Sequence, residues 1–290
     1  MPEVHDADIP PAAPGKRGAS GRLLIRRPIS RPLYLTIAVA SVVLLFFAYT
    51  LFSMAKKAEN PRDRTVPSWS QLAEGVGETL RANKRGEVML VDDGLATAGR
   101  FATGFATAIA LGIVIGIGMG CLAVVEAALL PAISFLARIP PTALLAIMFI
   151  LFGLGLGYTT ATIAIGVTPV LAQTVFSAVR EDVPQSLIFK ARTLGASQAE
   201  IVWDVIVPTV LPRMIDAARL QVGPALVFLI AAEYANAQEG FGYQIRIQAR
   251  LTGMNIIMFY CLLLGIGGFV LDLLLRKTRQ VVSPWYGVKQ

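Results

Sequence analysis

Five charged side chains interrupt runs that are otherwise apolar enough to cross a bilayer: Arg100, Arg138, Arg219, Glu233 and Asp272. A charge held at the centre of an inserted helix costs about 2.5–3.5 kcal/mol, so its retention calls for a reason. Arg219 and Asp272 stand near the ends of their runs, where snorkelling or mutual pairing accounts for them. Arg138 and Glu233 are deeper or beside an irregular turn, and lining of a polar pathway is the chemistry they suggest. Pro140-Pro141 and Thr168-Pro169 are expected to break the helices that carry them. Irregular backbone at membrane depth is tolerated only inside protein or along a cavity, so Pro140, Pro141 and Thr168 join the pathway candidates. Reaction chemistry has little support. The only histidine is His5, and Cys121 and Cys261 both lie inside apolar runs, where they read as small hydrophobes. No His, Cys and carboxylate cluster has ligand spacing, so no metal is expected. Gly15-Lys16 is followed by Arg17 and lacks the preceding phosphate-binding loop, so neither ATP nor another cofactor is expected on this chain, and no residue is assigned as catalytic.

The elements that must position these charges follow from composition. The chain has 290 residues and is 55% apolar, which excludes a soluble globular domain and leaves a polytopic, all-α membrane protein. Six windows reach the length of about 20 residues that a span requires: 33–54, 101–125, 131–152, 158–179, roughly 215–235, and 254–275. The net charge of +7 is not a nucleic-acid footprint. Residues 1–32 hold six basic side chains, residues 276–290 hold four, and the loop 55–97 is balanced with seven of each sign. Short basic flanks mark the cytoplasmic side, so both termini are expected there and 55–97 outside. The tail 1–32 has the Pro/Gly breakers of a disordered segment. It also separates the first span from the chain start, which argues against a cleaved signal. Within 55–97, Ser68 and Gln71 form a capping-box pattern, and Trp69, Leu72, Val76 and Leu80 then recur on one helical face. Gly112, Gly116 and Gly120 repeat at four in the second span, a spacing that lets helices approach closely in lipid.

One polar island lies between the apolar blocks. Lys190-Ala-Arg-Thr-Leu-Gly-Ala-Ser197 is followed by Trp203-Asp-Val-Ile-Val-Pro208. Pro184 suits a first helical turn, Leu187, Ala191 and Leu194 share a face, Gly195 ends the helix, and a second helix is expected to close at Pro208. This pattern resembles the coupling loop of ABC importer permeases. Ala191, Gly195 and Pro208 match that loop, while Phe189 and Lys190 stand where Glu and Ala are usual. Further pieces resemble permeases of the nitrate/sulfonate/taurine/bicarbonate type, in order along the chain. They are Val66-Pro-Ser68, Asp92 to Arg100, Glu126 to Pro131, Arg138-Ile-Pro-Pro141, Phe152-Gly-Leu-Gly155, Leu211-Pro-Arg213, Ala232-Glu233-Tyr234 and Gly240-Phe-Gly-Tyr243.

The resemblance implies a type I ABC importer permease fold of six transmembrane helices. A five-helix core over 98–276 would carry the coupling loop 184–208, and 277–290 would be a cytoplasmic tail. It implies a bacterial inner-membrane protein working with ABC ATPase subunits that hold ATP-Mg, a second permease subunit in a homodimer, and an extracytoplasmic substrate-binding protein. Leu187, Lys190, Ala191, Arg192, Leu194, Gly195, Ala196 and Pro208 would contact the ATPase. The cargo would be a small polar solute. The rival reading, a self-sufficient secondary transporter or channel, calls for a coupling-ion site and usually internal repeats, and neither is evident.

Overall fold

A computed structural model describes residues 30–60, 65–81 and 88–285. Most of the basic tail 1–32, with His5, and the end of the tail 277–290 lie outside the described residues. The chain divides into two compact units, 1–54 and 55–290. The first unit is carried by α1 (Arg31–Glu59), whose apolar stretch ends before Lys56 and Lys57 in the last turn. At ~1.5 Å per residue this helix is longer than the ~30 Å hydrocarbon core, so both of its ends have room to reach polar surroundings.

The second unit is organised by α3 (Met89–Cys121) and α6 (Leu156–Asp182). The glycines of α3 meet a repeating set of α6 side chains: Gly104 with Ile163, Gly112 with Leu171, Gly116 with Val175 and Gly120 with Val179. Each partner lies 59 positions further along the chain. Ala108 and Val167, fully buried, continue the register. A constant offset of one sign means that the two helices run parallel. A Cβ on Gly116 would stand 2.6 Å from Val175 Cβ and 2.7 Å from the Ala172 carbonyl, so the close approach excludes any side chain there.

Parallel neighbours require the chain between them to cross back. By the register just given, α6 begins beside Thr97 and its Arg180 lies beside Cys121 at the end of α3, a rise of about 36 Å. The return is made by α4 (Ala123–Leu136) and, after a tight turn at Pro141–Leu144, by α5 (Leu145–Phe152), with an 87° bend between them. The expected span 131–152 is therefore not one helix. It starts earlier, contains Pro131 within α4, and breaks at Pro140-Pro141 as expected. The expectation for Thr168-Pro169 fails: α6 runs unbroken through Pro169. Proline in a helix forfeits one hydrogen bond, and here the helix continues while the surrounding turns pack against α3.

The remainder follows α6 directly. Helix α7 (Gln185–Thr193) leads to a run from Gln198 to Asn236 made of α8 (Gln198–Glu200), a widened turn (Ile201–Ile206), α9 (Val207–Leu220) and α10 (Val222–Asn236). The fifth span thus begins well before position 215. Helices α11 (Phe241–Arg250) and α12 (Met254–Val282) complete the chain. The amphipathic segment is α2 (Trp69–Leu80), opened by a complete capping box between Ser68 and Gln71. It does not simply lie flat on its Trp69–Leu80 face. Gly75 and Thr79 are buried, and the Asn255 side chain at the start of α12 donates to the Gln71 carbonyl at 3.3 Å. Among the described residues, five helical runs are long and apolar enough to cross a membrane, and the count rises to six when the bent pair α4–α5 is taken as one span.

Candidate functional site

Polar chemistry concentrates at the two ends of the second unit. At one end, α7 stops in a two-bond C-terminal motif. The Ala196 N–H donates to the Ala191 carbonyl and the Gly195 N–H to the Arg192 carbonyl, each at 3.0 Å, with Gly195 at φ 86°. This is the geometry in which glycine after a helix satisfies carbonyls that would otherwise be orphaned. Ser197 and Glu200 then form a capping box that starts the next helix. Pro208 does not close that helix. The Val207 N–H donates to the Val202 carbonyl five residues back, and the widened turn lets the helix continue past a proline that has no N–H to give.

The sequence placed Leu187, Ala191 and Leu194 on one outward face, and the structure divides them. Ala191 and Ala196 pack with Ile188 against the buried cluster of Val175, Val179, Ile201 and Val210. Leu187 and Leu194 point away from the unit, Leu194 at 88% exposure. Phe189 and Trp203 are exposed beside them, two large apolar contacts that the helical-face argument passed over. Their signal was present in the sequence as aromatic residues inside a polar island. Lys190 and Arg192 are exposed on the same loop and form no ion pair among the described residues. Behind the loop lies a belt of ion pairs. Arg213 reaches Glu181 at 2.8 Å and Asp182 at 2.7 Å, Arg279 reaches Asp216 at 2.6 Å, and Arg180 contacts Glu126. Arg219 Nε stands 2.8 Å from Asp272, the mutual pairing anticipated for those two charges.

At the other end, Glu233 is fully buried and saturated. Its carboxylate accepts from Thr97 Oγ1 at 3.0 Å, Arg100 Nη1 at 3.1 Å and the Gly242 N–H at 2.9 Å. Asp93 accepts from the Gly240 N–H at 2.7 Å and from the Tyr260 hydroxyl at 3.3 Å, and the Phe241 N–H donates to Thr97 Oγ1. The N–H groups of the cap residue Gly240 and of the first two residues of α11, which have no partner within the helix, are thus bound by side chains from α3 and α10. Gly240, at φ 105°, is needed twice over, because a Cβ there would meet Glu233 Oε1 at 2.7 Å. Arg100 supplies the positive charge for this buried knot and also reaches Glu239 through Nη2 at 2.9 Å.

Of the pathway candidates, the structure places Glu233 in this knot, away from any surface, and Thr168 against α3, where its hydroxyl donates to the Ala108 carbonyl at 3.4 Å. Arg138, Pro140 and Pro141 come together at the bend between α4 and α5, with Arg138 exposed and in no ion pair among the described residues. Sequence reasoning missed Thr103, Thr107 and Thr160. They present hydroxyls on exposed or half-exposed positions of α3 and α6, and Thr103 Oγ1 lies 3.4 Å from Thr160 Oγ1. Among the described residues, no three of His, Cys, Asp or Glu are grouped to hold a metal.

An all-helical second unit with several apolar runs and a helix–glycine–helix loop at one end fits a permease architecture, and comparison with known proteins agrees. A profile of the family described as "Binding-protein-dependent transport system inner membrane component" matches residues 108–285. The chain belongs to that family. It is 30% identical over 172 residues to the taurine transport system permease protein TauC of Escherichia coli, covering 59% of this chain and 62% of that protein. It is 32% identical over 198 residues to a putative ABC transporter permease protein of Methanocaldococcus jannaschii, covering 68% and 73%. The nitrate import permease protein NrtB of Synechococcus elongatus is 27% identical over 161 residues, covering 53% and 56%. The match thus spans under two thirds of the taurine permease. Among solved structures, a chain of the MetNI methionine ABC transporter in inward-facing conformations superposes with a TM-score of 0.60 at 21% identity, covering 69% of this chain and 99% of that one. The all-α permease fold expected from the sequence is the fold observed, in a multi-pass inner-membrane protein.

Proposed function

We propose that this chain is the transmembrane subunit of an ATP-driven importer for a small polar solute such as taurine, a sulfonate, nitrate or bicarbonate. The loop 184–208 carries the reading. It is a short helix, a glycine turn and a second helix that continues into the fifth span, and it leaves Leu187, Phe189 and Leu194 exposed among the described residues. Apolar side chains held at the end of a bundle by their own helix cap suit a groove on a partner. The partner is a pair of cytoplasmic ABC ATPase subunits that hold ATP-Mg. A second copy of this chain completes the pathway, and an extracytoplasmic binding protein delivers cargo to the Arg100 end. Both termini and the loop then face the cytoplasm, and α2 faces outside. Closure of the ATPases moves 184–208, and the direct continuity of that loop with α9 and α10 carries the motion into the spans.

Purification from native membranes tests this reading. An ABC ATPase should accompany the chain in equal amount, and vesicles holding both should take up labelled taurine, nitrate or bicarbonate only with ATP and binding protein present. In a Cys121→Ser, Cys261→Ser background, Glu74→Cys should react with an impermeant thiol reagent in intact cells and Leu194→Cys should not. Uptake by this chain alone, or the reverse labelling, overturns the assignment.

A further inference from the structure

A cavity of about 610 Å³ opens beside Arg100. Its walls come from α3, from the loop and first turn of α6, and from the link after α10. Three observations point to what it holds. The first is Tyr158, 2% exposed, whose buried hydroxyl has the Asn236 side chain as its neighbour but makes no hydrogen bond of good geometry with it. Asn236 stands on the same wall. Buried hydroxyls in native proteins nearly always have a well-placed partner, so one so poorly satisfied beside a cavity points to a further acceptor. The second is the start of α6. This helix of 27 residues opens at Gly155, φ 107°, with no side-chain cap, and Gly155 lines the cavity. Its first-turn N–H groups have no partner within the helix and favour negative charge.

The third observation is the division of Arg100 between two unequal carboxylates. Nη1 is tied to Glu233, which is fully buried and accepts from two further donors. Nη2 is tied to the Glu239 carboxylate, whose side chain is 61% exposed, while Nη1 also donates to the Glu239 backbone carbonyl at 2.8 Å. An exposed ion pair is weak and exchangeable, whereas a buried one is not. Arg100 can therefore release the Glu239 carboxylate and present the Nη2 edge of its guanidinium while Glu233 and the Glu239 carbonyl keep Nη1 in place.

A guanidinium edge, a poorly satisfied hydroxyl and an uncapped helix N-terminus together make a donor set for oxygen atoms that carry negative charge. We propose that this cavity receives the oxyanion head of a small solute, a sulfonate, carboxylate or nitrate group, and that the solute displaces Glu239 from Arg100. The proposal rests on the importer reading and adds to it where the cargo first meets the permease. Thr159 lines the cavity, and the adjacent Thr160 reaches Thr103 across the α3–α6 contact, so hydroxyls continue from the cavity into the span.

The test uses the full chain with its ATPase in lipid nanodiscs. Gln238→Cys, in the background without Cys121 and Cys261, reports on the cavity through its rate of reaction with a methanethiosulfonate reagent. Taurine, sodium nitrate or sodium bicarbonate should slow that rate, about tenfold at ten times the Kd of a bound solute, while sodium chloride and urea should not. Glu74→Cys on α2 should react at one rate throughout. Tyr158→Phe, which keeps the ring, should raise the concentration needed for protection about fivefold, as expected for one lost hydrogen bond. Glu239→Gln should lower it, because the competitor for Arg100 is gone, and a merely damaging substitution would not give that sign. The proposal is overturned if none of the three oxyanions protects Gln238→Cys, if urea protects equally, or if Glu239→Gln leaves protection unchanged or weaker. ATP-dependent uptake that persists without protection removes the cavity assignment and leaves the importer reading standing. A preparation that takes up none of the three and recruits no ATPase removes the importer reading instead.

Discussion

The Arg100 end and the loop end of the second unit handle charge in opposite ways. At the Arg100 end one carboxylate, Glu233, is buried completely and every donor around it is spoken for. At the loop end the carboxylates paired with Arg213 are more exposed, Glu181 at 61% and Asp182 at 33%, and α7 has no buried residue at all. The first arrangement fixes one geometry, because any movement strands a charge in a low-dielectric interior. The second holds a preferred geometry and lets it go cheaply. A permease that must be rigid where α3, α10, α11 and α12 meet and mobile where a motor grips it would be built in this way.

Substitutions at the two ends should therefore differ in size and in kind. The largest effect belongs to Glu233→Ala. It leaves Arg100, Thr97 and the Gly242 N–H without their shared acceptor, and loss of one partner of a buried pair costs about 3–5 kcal/mol. Thermal unfolding in detergent should show a lower Tm and a reduced yield of monodisperse protein. Arg100→Ala combined with Glu233→Ala should cost less than the sum of the two, because they share one network. A wild-type Tm for Glu233→Ala would mean that the knot is ornamental.

An intermediate effect is expected from Gly195→Val. A Cβ at this position meets nothing within 4 Å, so the penalty is the left-handed backbone alone, about 1–2 kcal/mol. The chain should still fold and insert. Stimulation of ATP hydrolysis by binding protein, and uptake with it, should fall because the angle between α7 and the next helix is lost. Equal stimulation by variant and parent in nanodiscs would show that 184–208 does not transmit.

The smallest effect belongs to Arg213→Ala. Its partners are surface-accessible, so stability should change by less than about 1 kcal/mol and the difference should shrink in high salt. A Tm loss as large as that of Glu233→Ala would erase the contrast between the two ends.

Local punctuation was legible without any structure. The Ser68–Gln71 capping box, the glycine stop at Gly195 and the break at Pro140-Pro141 all depend on backbone groups within a few residues of one another, and pattern alone locates them. The six crossings follow from the length of apolar runs for the same reason: backbone polar groups in hydrocarbon must be satisfied within the segment. The two other prolines were misread. Pro169 and Pro208 carry the same local signal as Pro140, yet α6 and the widened turn before α9 absorb them, because neighbouring turns can redistribute the missing bond. Ala191 was assigned to the outer face by spacing, but spacing gives a stripe and not the direction in which it faces. The glycines of α3 were visible as a repeat, while their partners 59 positions away, and with them the parallel course of α3 and α6, were not. Glu233 was recognised as an expensive charge, but Thr97 lies 136 residues from it. Whether such a charge lines a path or ties a knot depends on which distant donors the fold delivers to it, and no local pattern of residues records that delivery.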